Sequence, residues 1–511
     1  MRPKRYLLLI TFLALAVAGV PALRRPWKAI VGSPLGLAIQ GLETSNYPNV
    51  LLIIDDQHSA RVLGVAGNPI VQTPRLDQLA AEGAWFSAGY CNDPICGPSR
   101  YSMLTGRYPS EIGTLCNGDS PVTGVKYLAE YLTEFGYFTG SSGKNHFGSK
   151  AETGGFEELH PHPFYNLRGE SEYTPWFESQ FTEREIEGSP YFWTGRKGWM
   201  SRLDPEDGRC TINPHPADLS PEHWTTEVAL GLIDHAIELE KPFFVQASYL
   251  APHHPYGPLQ EYYDLYEDSE MKLPESWYST PHSNRLGMSE DEWKSVMHHY
   301  YSYVSQVDHY IGELLDGLEE RGLADDTLVI MVSDHGDMMG EFGLMGKGDE
   351  REGSLAVPFI VRWPAGFDGG KVVDSPVSLI DVLPTIFDAL GEKQPELARG
   401  HSVLPLIAGD EGASARRVFA LDVRREPYLL LVARDWRWKL SLHTRNSRTP
   451  AMEFYDILND PWELEDLSGE PTVAPARERL LAELGVFWSE QSAALVREPQ
   501  PNSASAGTHN E

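Results

Sequence analysis

The sequence predicts an α/β fold: a large, mostly parallel sheet flanked by helices on both faces, with a smaller C-terminal α+β subdomain carrying an antiparallel sheet. Three observations carry that prediction. The run Asn49-Val50-Leu51-Leu52-Ile53-Ile54 is continuously apolar, as suits a strand buried on both faces. Runs of this kind alternate with helical patterns along most of the chain. After about residue 415 the rhythm changes to short strands at close spacing.

Taken in order, residues 23–47 read as a linker and Asn49–Ile54 as the first strand. Thr73-Pro74 opens a helix over Arg75–Glu82, since proline suits a first helical turn. A second helix is expected over Val125–Phe135, with a short strand at Tyr137–Thr139 behind it. Residues 152–220 are rich in Gly, Pro and aromatics and poorly periodic, so they are expected to be insertion loops. A helix over Glu222–Glu240 leads into the strand Phe243–Ala247, and a long amphipathic helix covers Glu290–Arg321. The strands Thr327–Val332 and Pro358–Arg362 follow, then a helix over Leu379–Leu390. In the C-terminal part, Val418–Val423, Leu429–Ala433 and Trp438–His443 read as strands and Val473–Ser489 as a helix. The expected division is a leader at 1–22, a main domain at 48–415, a subdomain at 416–497 and a polar tail at 498–511.

Composition bounds the function. With 41% hydrophobic and 23% charged residues over 511 positions, the chain is an ordinary globular protein. Its net charge is 42 − 73 = −31, which argues against nucleic acid or an anionic membrane as partner. Arg2, Lys4 and Arg5 precede an apolar run from Tyr6 to Val20, and Val20-Pro21-Ala22 supplies small residues for cleavage. That pattern predicts export to the periplasm or the cell exterior. The run is shorter than the roughly 20 residues of a membrane span, so no stable membrane insertion is expected. Four cysteines, Cys91, Cys96, Cys116 and Cys210, are compatible with export without requiring it.

The most specific stretch is Cys96-Gly97-Pro98-Ser99-Arg100, running on into Leu104-Thr105-Gly106. It sets a thiol where a loop becomes a helix, facing unpaired N–H groups that favour negative charge and lower a thiol pKa. Arg100, one turn on, shares that helical face and can reach an anion held over Cys96. This stretch resembles the signature of the sulfatase family, Cys-x-Pro-Ser-Arg followed by Leu-Thr-Gly. The resemblance implies that Cys96 is oxidised to formylglycine by a formylglycine-generating enzyme during maturation. The hydrated aldehyde would then be the nucleophile toward a sulfate ester. A gem-diol keeps a second hydroxyl whose deprotonation expels sulfate, splitting one hard step into two easier ones.

Three predicted strands end in polar residues, and open α/β sheets bind ligands outside the carboxyl ends of their strands. The first runs into Asp55-Asp56, the second into Pro252-His253-His254-Pro255, the third into Ser333-Asp334-His335-Gly336. Three carboxylates converging on one point would repel one another unless a cation lay between them. The sulfatase resemblance makes that cation calcium, with Asp55, Asp56, Asp334, His335 and the modified Cys96 as ligands. Imidazole is a poor partner for so hard an ion, which leaves manganese, magnesium or zinc open.

The same resemblance extends to Gly143-Lys144-Asn145-His146, with Asn145 where tryptophan is common, and to Lys347 downstream of Asp334-His335-Gly336. It implies that Arg100, Lys144 and Lys347 surround the sulfuryl oxygens. His253 would protonate the leaving alcohol, with His254 the second choice, and His146 would help expel sulfate. Near the end, Tyr455-Asp456 and Asp460-Pro461-Trp462-Glu463 resemble another element of the family. The implied partner is a sulfated small molecule or glycan, with a carbohydrate favoured because export and long insertions suit an external polymer. Two alternatives stand beside this: a phosphonate or phosphate ester hydrolase of the same superfamily, and a non-catalytic glycan-binding protein on the same fold.

Overall fold

A computed structural model describes residues 47–147, 153–162, 172–184, 210–279, 287–409, 416–424, 428–444 and 450–497. Its strands are β1 (Asn49–Asp55), β2 (Ala84–Phe86), β3 (Gly89–Tyr90), β4 (Phe138–Gly143), β5 (Glu158–Pro161), β6 (Phe243–Ser248) and β7 (Thr327–Ser333). There follow β8 (Phe359–Arg362), β9 (Lys371–Val373), β10 (Val377–Ser378), β11 (Val418–Asp422), β12 (Leu430–Arg434), β13 (Trp438–His443) and β14 (Ala451–Asp456). One sheet has the order β5-β4-β6-β1-β7-β8-β2-β9. Every neighbouring pair in it is parallel except those involving β8, which runs against both β7 and β2.

β1 lies at the centre, and its apolar run is fully buried between β6 and β7. The register aligns Ile54 with Ser248 and Asp55 with Ser333, so the three carboxyl ends stop at one level. That alignment makes one rim of three distant chain segments. Helices Pro74–Glu82, Pro221–Glu238 and Glu290–Glu320 bury their apolar stripes in a core with β1, β6 and β7. The long helix starts at a capping box, in which the Ser289 hydroxyl accepts from the Glu292 N–H.

β11 to β14 form a separate antiparallel sheet in sequence order. Leu421, Leu431, Leu440 and Phe454 on this sheet pack against Leu480, Leu484 and Phe487 of the helix Ala474–Arg497. This sheet belongs to the same compact unit as the large one, which runs from Pro48 to Glu511. A buried ion network ties this sheet to β3, which pairs with β10 in a small sheet of its own, and to the segment around Glu352. Lys439 on β13 lies 2.9 Å from Glu352 and 2.7 Å from Glu463, and Arg434 on β12 donates to the Tyr90 hydroxyl at 3.0 Å.

Several expectations need correction. Residues 152–220 are not all loop: β5 and a helix over Tyr173–Glu183 lie within them. That helix buries Tyr173, Phe177 and Phe181 in the main core, so aromatic burial rather than polar–apolar periodicity drives it. The C-terminal helix runs to Arg497, well past Ser489. Short strands β2, β5 and β9 escape detection because three or four residues carry too little alternation to read. None of the four cysteines is in a disulfide. The expected leader at 1–22 and tail at 498–511 lie outside the described residues, among which no helix is long and apolar enough to cross a membrane.

Candidate active site

Cys96 is the first residue of the helix Cys96–Thr105, which ends on Gly106 in the left-handed region at φ 67°. Proline at its third position fits a first turn, and the whole helix is buried against the strand ends. The Cys96 thiol meets two residues from the β7 side: Lys347 Nζ donates to Sγ at 2.9 Å, and His335 Nε2 lies 3.0 Å from it. The expected depression of the thiol pKa is not found. Burial, only partly offset by Lys347, pushes Cys96 up to about 11, so desolvation outweighs the helix terminus.

Asp56, Cys96, Asp334 and His335 bring one ligand atom each within 4.8 Å of one another, and all four are buried. The donor chemistry fits a divalent cation. His335 Nδ1 donates to the Gly336 carbonyl at 2.9 Å, which leaves the Nε2 lone pair facing Asp56, at 3.7 Å, and Asp334, at 3.6 Å. Burial holds His335 down to about 3, so the ring is neutral and able to ligate at any ordinary pH. Burial would raise Asp334, but His335, Arg100, Lys144 and Lys347 together hold it well below the usual carboxylate range.

Asp55 stands outside this group. Successive side chains on a strand point to opposite faces, and Asp55 turns away from Asp56. Its Oδ2 takes His58 Nδ1 at 2.5 Å, while His58 Nε2 reaches the Val62 carbonyl at 2.8 Å. With an acceptor at each ring nitrogen, His58 is held above its ordinary pKa despite a burial that works to lower it.

Arg100, Lys144 and Lys347 lie around these groups. Arg100 Nε donates to Asp334 Oδ2, and its Nη1 donates to the Lys144 carbonyl and the Ser248 hydroxyl, each at 2.7 Å. Lys144 Nζ pairs with Asp56 Oδ2. Gly143 makes that loop possible: at φ 89°, a Cβ there would lie 1.9 Å from the Ser248 carbonyl oxygen. Asn145 turns inward to Ser141, at 2.8 Å, and Gln246, at 2.9 Å. His146 is buried at φ 65°, and burial together with Lys144, Arg100 and Lys347 holds its imidazole well below the ordinary value.

His253 Nε2 lies 2.9 Å from Lys347 Nζ, and its Nδ1 faces the His254 carbonyl. Burial, then Lys347, holds it well below its ordinary pKa. At rest the ring is therefore neutral, and its Nε2 accepts a hydrogen bond from Lys347. The two rings stack with centroids 4.3 Å apart.

Gln57, His58, Ser248 and Asp337 also hold this centre together, and the sequence reading missed them. Ser248 ends β6 level with Ile54, so the strand-end rule alone points to it. Gln57 is uncharged and carries no motif signal beyond following Asp55-Asp56.

A buried thiol at a helix N-terminus, a carboxylate–imidazole cluster and three lysine or arginine cations share this one rim. A family model described as Sulfatase matches residues 48–392, more than half of the chain. The chain belongs to the sulfatase family. It is a sulfuric ester hydrolase of the alkaline phosphatase superfamily. A second model, described as the C-terminal part of N-sulphoglucosamine sulphohydrolase, matches residues 340–488. The enzyme is 30% identical over 461 residues to an arylsulfatase of Clostridium perfringens, covering 82% of this chain and 90% of the relative. It is 28% identical to an ulvan-active sulfatase of Formosa agariphila, covering 87% of this chain and 81% of the relative. The phosphonate monoester hydrolase of Agrobacterium radiobacter shares its fold with a TM-score of 0.72 at 21% identity, over 87% of this chain and 96% of that one.

Proposed function

We propose that the enzyme releases inorganic sulfate from a sulfated carbohydrate, using Cys96 oxidised to formylglycine beside a divalent cation. The observation that carries this reading is the position of Cys96, 2.9 Å from Lys347 and 3.0 Å from His335 at the start of a buried helix. A thiol held at about 11 is protonated at neutral pH and a poor nucleophile as it stands, which favours a chemically altered side chain. Formylglycine would supply a hydrated aldehyde as nucleophile. The cation would be held by Asp56, Asp334, His335 and residue 96, and would polarise the sulfuryl group. Asp55, paired with His58, is left out of that set. Family resemblance assigns calcium, while the imidazole favours manganese or zinc as competitors, with magnesium third.

The surrounding residues have separable work. Arg100 and Lys144, each partnered by a buried carboxylate, orient the sulfuryl oxygens and balance the charge that grows as the S–O bond breaks. Lys347, within reach of both Sγ of residue 96 and His253 Nε2, is placed to share a proton with that ring nitrogen, from which the leaving alcohol oxygen would take it. His146, neutral in its cationic surroundings, can take a proton in the step that frees sulfate. The carbohydrate preference draws support from the ulvan-active relative and from an export-type N-terminus.

Mass spectrometry of the Cys96 peptide from active protein should show the aldehyde in place of the thiol. Full activity with an unmodified thiol would overturn the nucleophile. Cys96→Ser should lower turnover by on the order of 10³ or more. Metal analysis of active protein should find about one divalent ion per chain. Sulfate release from sulfated glycans, aryl sulfates, and phosphate and phosphonate esters, run side by side, ranks the substrate classes. Faster cleavage of phosphonate esters would replace the sulfate reading.

A further inference from the structure

The C-terminal sheet makes a contact beside the catalytic rim that the hydrolytic scheme leaves unused. Lys347 lies between two glycines, Gly346 and Gly348, each at φ 80°, where a residue with a Cβ would be strained. On the Gly346 side, the loop after β7 holds the backbone. The Gly346 N–H donates to Asp337 Oδ1 at 2.9 Å, and its carbonyl accepts from the Met338 N–H at 2.8 Å. On the other side, the Asp349 N–H donates to the Ser354 hydroxyl at 3.2 Å. The Gly348 carbonyl itself is taken by the other sheet. It accepts at 2.7 Å from the hydroxyl of Tyr428, two residues before β12.

A carbonyl can only accept, so the phenol supplies the hydrogen. Burial, then Asp422, pushes the Tyr428 pKa up, so the donor is present at any working pH. Tyr428 is itself braced. The guanidinium of Arg424, two residues past β11, lies over its ring, 4.8 Å from the centroid. Asp422 fixes that guanidinium, accepting from Nε at 2.9 Å and from Nη2 at 2.8 Å. Arg424 also packs on the glycine. A Cβ at Gly348 would stand 2.7 Å from Arg424 Nη2 and 3.6 Å from Cδ1 of Ile95, the residue before Cys96. Asp422, Arg424 and Tyr428 thus form one arm, reaching from the C-terminal sheet to the residue next to Lys347.

We infer that Tyr428 is a positioning residue: from the C-terminal sheet it anchors the backbone beside Lys347, and so sets where the lysine ammonium stands between residue 96 and His253. The inference rests on the role given to Lys347 in the sulfate ester reading. Lys347 Nζ lies 2.9 Å from Cys96 Sγ and 2.9 Å from His253 Nε2. A lysine side chain is a flexible four-carbon stem, so it keeps such a place only if its backbone is fixed on both sides. Gly348 resists rotation less than any other residue would, and the Tyr428 hydroxyl removes that freedom. Without it the ammonium spends less time where both contacts form, and the chemical step slows accordingly.

Tyr428→Phe removes one oxygen and keeps the ring. With whichever sulfate ester the wild type cleaves fastest, it should lower kcat by about tenfold, with KM and melting temperature nearly unchanged. A double-mutant cycle separates positioning from a general structural role. In a Lys347→Ala background, adding Tyr428→Phe should change kcat by less than about twofold, because the group it positions is gone. Losses that multiply overturn the inference, as does full activity in Tyr428→Phe alone. The magnetic resonance signal of the Lys347 ε-carbon in lysine-labelled protein, identified by its loss in Lys347→Ala, gives a readout free of turnover. Tyr428→Phe should move or broaden it, and an unmoved signal overturns the inference. Should Tyr428→Phe fail to fold, Arg424→Leu, which removes the brace over the ring, should give a smaller loss that also disappears without Lys347. Losses that multiply there overturn the inference as well. If the wild-type enzyme releases sulfate from no ester, or Lys347→Ala is fully active, the functional reading fails, while the lysine signal still judges the positioning.

Discussion

Arg100 shows how much one side chain can organise at this centre. Its planar fork reaches a carboxylate, a carbonyl and a hydroxyl from three separate strand ends, each at 2.7 Å. Lysine keeps the charge but has a single point donor on a flexible stem, so it cannot reproduce that fork. Arg100→Lys should therefore lower kcat/KM by roughly 10- to 10³-fold with little change in melting temperature. Initial sulfate-release rates and a thermal melt check both halves. An activity within twofold of wild type would show that charge alone suffices. Gly143 is the complementary case, where absence of a side chain is the requirement. Its φ of 89° and the Ser248 carbonyl both oppose a Cβ. Gly143→Ala should cost about 2 kcal/mol or more, read from denaturant midpoints, and should displace Lys144 enough to slow turnover.

At the scale of elements, β1, β6 and β7 do the work of bringing three dipeptide-sized motifs together. The helices behind them carry a titration of their own. Glu222, in the first turn of the helix Pro221–Glu238, is buried and accepts from Gln306 Nε2 at 2.8 Å and the Tyr303 hydroxyl at 3.2 Å, both on the long helix. Burial pushes its carboxyl up to about 7. A carboxyl raised in the folded state contributes stability that is fully present below its unfolded pKa, near 4.5, and lost as pH rises to about 7. Glu222→Gln, neutral at every pH, should gain stability relative to wild type across that window, with the difference level above it. Urea midpoints at pH 5 and pH 8 measure this. A difference that does not change between them contradicts the assignment.

Across the whole molecule, a net charge of −31 surrounds a centre built from Arg100, Lys144 and Lys347. An anionic substrate is repelled at long range and attracted only at close quarters. Salt screens the first effect beyond about 8–10 Å near physiological strength and reaches the buried cations far less. Adding sodium chloride from about 0.01 to 0.15 M should therefore lower KM for a sulfate ester. A KM that climbs with salt would mean that the local cations govern even the approach. Much of this was legible in the chain alone. The Cys96–Arg100 motif, the strand ends carrying Asp56, His253 and Asp334, and both lysines could be read because charge and local pattern mark them. Fold class was readable too, since buried parallel strands leave uninterrupted apolar runs. Gln57 and Asp337 could not be read, because their roles are contacts between residues separated by up to 280 positions. Only the folded chain decided that Asp55 turns to His58, and that His253 rests neutral against Lys347. It also decided that the Cys96 thiol is raised rather than lowered. The physical reason is the same for all three: sequence fixes which groups can carry charge, whereas burial and the neighbours folding supplies fix whether they do.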